Sequence, residues 1–136
     1  MKTILAGSRG IHDYAIMLKA IQASGFEISE VVCGTARGPD QHGARWAEEN
    51  GISITCFKPD WKKYGRGAGL HRNKAMAEYA DALIALWEGQ SSGTKNMIDL
   101  ATARGMKVFV FRVDARDHEI ANVLKGESTD VPEVPA

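Results

Sequence analysis

Little in this chain points to metal, disulfide or membrane chemistry. Among its 136 residues there are two cysteines, Cys33 and Cys56. Both sit in apolar, strand-like runs, so buried thiols are the expectation, and a disulfide framework or zinc site needs more ligands or closer spacing. The histidines His12, His42, His71 and His118 show no metal-ligand spacing. No apolar run approaches the roughly 20 residues that span a bilayer. The opening Met1–Gly7 is too short for a secretion signal and reads directly as a strand. A soluble, cytoplasmic protein with no membrane partner is expected. Seventeen basic residues balance seventeen acidic ones. That argues against nucleic acid as a partner, because binding a polyanion takes an excess of Lys and Arg on one face. No Walker A spacing occurs.

What the chain does have is glycine in three loops, each where a strand hands over to a helix. They read Gly7-Ser8-Arg9-Gly10, Gly34-Thr35-Ala36-Arg37-Gly38-Pro39-Asp40 and Ser91-Ser92-Gly93-Thr94-Lys95-Asn96. In an open parallel sheet such loops gather at the carboxyl ends of the strands. Helix N-termini there offer backbone N–H groups and a positive dipole end to an anion. Each loop also carries Arg or Lys. A phosphate-bearing small molecule is the partner this pattern implies.

Strands and helices alternate along the chain. Strand-like runs occur at Thr3–Ala6, Glu30–Cys33, Ile52–Phe57, Ala82–Trp87 and Lys107–Phe111. Ala82–Trp87 is the most continuous and reads as a central strand buried on both faces. Asp13 caps a helix through Ser24 with Tyr14, Met17, Leu18 and Ile21 at helical spacing, and Gly25 stops it. Pro39 stands near the first turn of the second helix. Lys58–Gly69 reads as a long loop, of the kind that is usually functional. Further helices are expected over Leu70–Tyr79 and from the Ser91 loop to Arg104. The fold class is α/β: a Rossmann-like, doubly wound parallel sheet of about five strands flanked by helices. Its ligand crevice is expected between the first and fourth strands. Residues 1–112 form the domain. Residues 113–136 form an extension with one short helix over His118–Lys125 and a flexible tail.

The order and spacing of Gly7-Ser8-Arg9, Gly34–Asp40, Asp60-Trp61 with Tyr64-Gly65, Arg72-Asn73, Ala80–Ala85 and Gly93–Asn96 resemble the SLOG superfamily. Within it they are similar to the YspA-like (YAcAr) branch of bacteria and phages, over about Met1–Arg112. The resemblance implies a Rossmann-like domain, generally a homo-oligomer, that binds nucleotides or nucleotide-derived ligands, ADP-ribose-type signals among them. It also implies kinship with the LOG enzymes, which cleave a nucleoside monophosphate at its N-glycosidic bond. Their signature is similar to Gly-Gly-x-Gly-Thr-x-x-Glu, with the Glu catalytic. Here Gly93-Thr94 matches the Gly-Thr, Ser91-Ser92 replaces the leading glycines, and Met97 stands at the Glu position. A thioether neither acts as a base nor steadies an oxocarbenium ion.

The candidate ligand contacts are Gly7, Ser8, Arg9, Arg37, Gly38, Asp40, Arg72, Asn73, Trp87, Gly93, Thr94 and Lys95. Arg9, Arg37 and Arg72 suit phosphate. Ser8 and Thr94 carry hydroxyl donors. Asp40 suits a ribose hydroxyl, or else caps its helix. Trp87 is placed to wall the pocket, and Glu88 beside it is placed to reach a ribose. Each has a plain alternative: solvated arginines, a turn-capping Asp, and a Trp61 that pins its loop to the core rather than stacking on a base with Tyr64 and Arg66. No cofactor and no catalytic residue is expected. The leading expectation is a binder that senses or sequesters ADP-ribose or a cyclic or conjugated relative, including as a phage anti-defence sponge. The rivals are an N-glycosidase acting on nucleoside phosphates or NAD through Asp40 or Glu88, and a single-stranded DNA binder.

Overall fold

The computed structural model of the chain describes residues 1–8, 10–11, 13–34, 39–113 and 119–125, with the backbone alone at 39–40 and 119–125. Five strands run parallel: β1 (Lys2–Gly7), β2 (Glu30–Cys33), β3 (Ser53–Cys56), β4 (Ala82–Trp87) and β5 (Lys107–Val113). With a sixth strand, β6 (Glu119–Lys125), the order across the sheet is β3-β2-β1-β4-β5-β6. The chain winds outward from β1 to β3, then crosses back to lay β4 on the other side of β1. Strand order therefore reverses between β1 and β4, and the crevice of such a sheet opens there.

Alternation along the strands sends side chains to two cores. Leu5, Val31, Cys33, Ile84, Leu86, Phe109 and Phe111 pack with Ile16, Met17 and Ala20 of α1 (Tyr14–Ser24) and Ala47 of α2 (Pro39–Glu49). Their neighbours Ile4, Val32, Leu83, Ala85, Val108 and Val110 pack with Met76 and Ala77 of α4 (Ala68–Tyr79) and Met97, Ile98 and Ala101 of α5 (Ser92–Ala103). Residues 82–86 are fully buried, the mark of a central strand covered on both sides.

The ends of α1 follow local chemistry. Asp13 accepts the Ala15 N–H at 2.9 Å, and Gly25 takes a left-handed φ of 67° at the C-cap. Its inner face differs from the expected one. Ile16, Met17 and Ala20 are buried while Leu18 is 42% exposed, because the side chains next to the sheet sit one position earlier than the apolar spacing suggested. Pro39 opens α2, where its missing N–H costs nothing.

Three further expectations are corrected. Lys58–Gly69 is not all loop: Asp60 accepts the Lys63 N–H at 3.1 Å and caps a one-turn helix, α3 (Trp61–Tyr64), and a 3-10 turn over Gly65–Gly67 leads into α4. Cys56 is exposed, since β3 is an edge strand, whereas Cys33 is buried. The short helix expected over His118–Lys125 is the strand β6, antiparallel to β5 from Val113↔Glu119 to Val108↔Lys125. Its spacing of Ile120, Val123 and Leu124 suits a helix turn, but the apolar edge of β5 offers an unfilled hydrogen-bond ladder, and that context decides. The expected flexible tail, 126–136, lies outside the described residues.

Candidate functional site

The carboxyl ends of β1 and β4 are drawn together by Gly7. A Cβ there would stand 2.3 Å from the Leu86 carbonyl oxygen, so any side chain would force the strands apart. The Ser8 N–H then donates to that same oxygen at 2.9 Å. Beyond this point β1 leads to α1 on one face and β4 leads to α5 on the other. A cavity of about 450 Å³ opens beside this point, between α4 and α5, within the range of small-molecule sites.

Its floor is Ala6, Gly7 and Glu88. One wall is the start of α5, with Ser91, Gly93, Thr94 and Met97. The opposite wall is α4, with Gly69, Leu70, Arg72, Asn73 and Met76. Gly10 and Gly34 stand at the rim. The loops after β1, β2 and β4 thus meet at one cavity.

Glu88 is the carboxylate of this cavity. Its Oε1 accepts from the Ser8 hydroxyl at 2.7 Å, the Ser91 N–H at 2.9 Å and the Gln90 N–H at 3.2 Å. Burial pushes its pKa up, but the Ser8 hydroxyl and the backbone donors together outweigh burial and hold it below the usual carboxylate range. It is therefore an ionised group that only accepts hydrogen bonds. Gly89 keeps the turn after it tight, with φ of 98°, and a Cβ there would meet Arg112 Nη2 at 2.3 Å.

The start of α5 is capped by Ser91, whose hydroxyl oxygen accepts the Thr94 N–H at 3.4 Å and the Thr94 hydroxyl at 3.2 Å. The N–H groups of Ser92 and Gly93 belong to the first turn, which a helix leaves without acceptors of its own. Asn73 ties α4 to this turn. It is 7% exposed and donates through Nδ2 to the Gly93 carbonyl at 3.3 Å and to Asn96 Oδ1 at 3.1 Å. Arg72 Nε donates to Asn73 Oδ1 at 3.0 Å, so the guanidinium is oriented at the wall. Arg72 also lines a neighbouring cavity of about 360 Å³ with Tyr64 and His71, whose rings stack at 3.7 Å.

Of the residues singled out in the sequence, Gly7, Arg72, Asn73, Gly93 and Thr94 line the cavity. Ser8 is 2% exposed and gives its hydroxyl to Glu88 rather than presenting it to the cavity. Lys95 pairs with Asp99 at 2.8 Å on the exposed face of α5. Trp87 donates from Nε1 to the Ser91 carbonyl at 3.1 Å, bracing the loop that follows β4. Arg72 and Asn73 sit in the second turn of α4 rather than at its start, because α4 begins at Ala68. Trp61 is 57% exposed and so does not pin its segment to the core. Arg9, Arg37 and Gly38 lie outside the described residues, as does the side chain of Asp40, whose backbone belongs to the first turn of α2. Met97, at the position of the LOG glutamate, is 2% exposed and lines the cavity. The cavity residues missed from sequence include Leu70 and Met76; only the helical spacing of α4 could have signalled them.

Residues 1–64 match the family model YAcAr: YspA, cpYpsA-related SLOG family. Over this stretch, just under half of its length, the chain is similar to the SLOG family. The match runs from β1 through α3. It includes two of the three glycine loops and stops before α4, Glu88 and α5. That similarity suggests a nucleotide-related role, binding or glycosidase-like. No curated protein matches the chain. Among the described residues, no cluster of His, Cys, Asp and Glu could hold a metal, and no helix is long and apolar enough to cross a membrane.

Proposed function

We propose that the crevice between β1 and β4 binds a nucleotide-derived ligand, ADP-ribose or a cyclic or conjugated relative. The observation that carries this reading is that Glu88 and the start of α5 line one cavity. An ionised carboxylate calls for hydrogen-bond donors on the ligand. A helix N-terminus with Arg72 opposite calls for anionic oxygens. A phosphorylated ribose carries both, with its hydroxyls toward Glu88 and its phosphate toward Gly93 and Arg72. Arg9, beside Gly10 in the sequence, and Arg37, three residues after Gly34, suit a second phosphate. The role we assign is sensing or sequestration, including as a phage anti-defence sponge.

The test is native mass spectrometry of the purified protein, with thermal-shift measurements against ADP-ribose, its cyclic isomers, NAD and AMP. The expected result is stabilisation by the diphosphates and recovery of the ligand intact after denaturation. Glu88→Gln swaps an acceptor oxygen for an amide donor beside the Ser8 hydroxyl. It is expected to weaken ribose-ligand affinity about tenfold, equivalent to the ~1.4 kcal/mol of one hydrogen bond to a charged group.

A glycosidase reading is favoured by the same carboxylate, since an ionised Glu88 lining the cavity suits the stabilisation of a sugar cation. Turnover of AMP or NAD to free base by the wild type, abolished in Glu88→Gln with binding kept, would establish that reading and overturn the first.

A further inference from the structure

We propose that Cys33 and Cys56 are a disulfide-forming pair, closed by exchange with a low-molecular-weight disulfide. This inference is independent of what the crevice binds. Cys33 ends β2 and Cys56 ends β3, and the two are partners in the parallel register. Neighbouring strands lie about 4.8 Å apart, inside the window of roughly 4.4–6.8 Å that a disulfide spans between Cα atoms. Partners in register point to the same face of the sheet, and the two Sγ atoms stand 3.3 Å apart. A disulfide needs about 2.05 Å, an approach that side-chain rotation supplies while the strands stay paired. The ladder continues past the pair, with the Phe57 N–H donating to the Cys33 carbonyl at 2.9 Å.

Exposure sets the order of events. Cys56 is on the open edge of the sheet, and Cys33 is 1% exposed. The Cys56 thiolate attacks one sulfur of the small disulfide, forming a mixed disulfide and releasing one small thiolate. The Cys33 thiolate then attacks the Cys56 sulfur and displaces the second. The two protons lost by the protein end on the two small thiols, and the two electrons taken from the cysteines reduce the small disulfide. The new bond fastens the end of β2, directly before Gly34 at the rim of the crevice.

The experiment is intact-mass analysis of the folded full chain after treatment with oxidised glutathione, with free thiols blocked before denaturation. Loss of two hydrogens from a monomer, with no thiol left to block, is the expected result. Cys33→Ser is expected to hold one glutathione on Cys56. Cys56→Ser is expected to stay unmodified while folded. A wild type that keeps a glutathione adduct, remains reduced, or links chain to chain would overturn the proposal. The wild-type mass decides the pairing even if a variant fails to fold.

Discussion

At the scale of single residues, the crevice is built by groups that restrain one another. Ser8, Thr94 and Lys95 were expected to face a ligand. The fold gives their side chains protein partners, Glu88, Ser91 and Asp99, while Thr94 also lines the cavity. Residue type and position were legible in the sequence, but the partner each side chain selects is set by neighbours brought close by the fold. Ser8 and Glu88 are 80 positions apart, beyond any local pattern. Gly7 lines the cavity, and its lack of a side chain also lets Leu86 approach closely. Gly7→Ala is therefore expected to destabilise the protein by about 1–3 kcal/mol through overpacking. Gly69→Ala meets nothing within 4 Å in α4, and the lower backbone entropy of alanine is expected to stabilise by about 0.5–1 kcal/mol. Urea denaturation of both variants checks the opposite signs, and equal destabilisation would refute the close-approach argument.

At the scale of elements, strands with strong patterning were legible and conditional elements were not. β4 declared itself by an unbroken apolar run and α1 by its caps. α3 is a single turn held by Asp60, too short to show periodicity. β6 owes its strand conformation to β5, and nothing in residues 119–125 specifies it alone. Contacts between elements carry their own pH dependence. Glu30 of β2 accepts from the Tyr79 hydroxyl of α4 and from Thr55 of β3 at 2.7 Å. The Tyr79 bond, then the Thr55 bond, hold its pKa below the usual 4.5. A lowered folded-state pKa stabilises above the unfolded value, and that contribution disappears as pH falls through the folded one. Tyr79→Phe should thus lower the melting temperature at neutral pH and converge with the wild type once the pH has fallen through the lowered Glu30 pKa. A gap that persists in acid would assign the loss to packing against Phe57 and Lys2.

At the scale of the whole molecule, the doubly wound arrangement and the β1–β4 crevice followed from the alternation of elements and the placing of glycines. The sixth strand did not. Its presence makes a mixed sheet in which β5 is internal. Removing residues 119–136 would return Lys107–Val113, with its alternating Val and Phe, to an open edge. Such edges template aggregation. The truncated chain is expected to lose solubility and to form large species in size-exclusion chromatography at concentrations where the full chain stays dispersed. A truncated chain that elutes unchanged would show that β6 is dispensable as a cover.

The antiparallel return of β6 also decides how the molecule can be handled. Lys125 pairs with Val108, near the start of β5, and Lys2 pairs with Glu30 at the start of β2. Both lie on the rim from which the parallel strands depart, opposite the crevice. A dye or an immobilisation tether joined at Met1 would leave the crevice facing bulk solution. Binding measured on a sensor surface should then match binding measured free in solution.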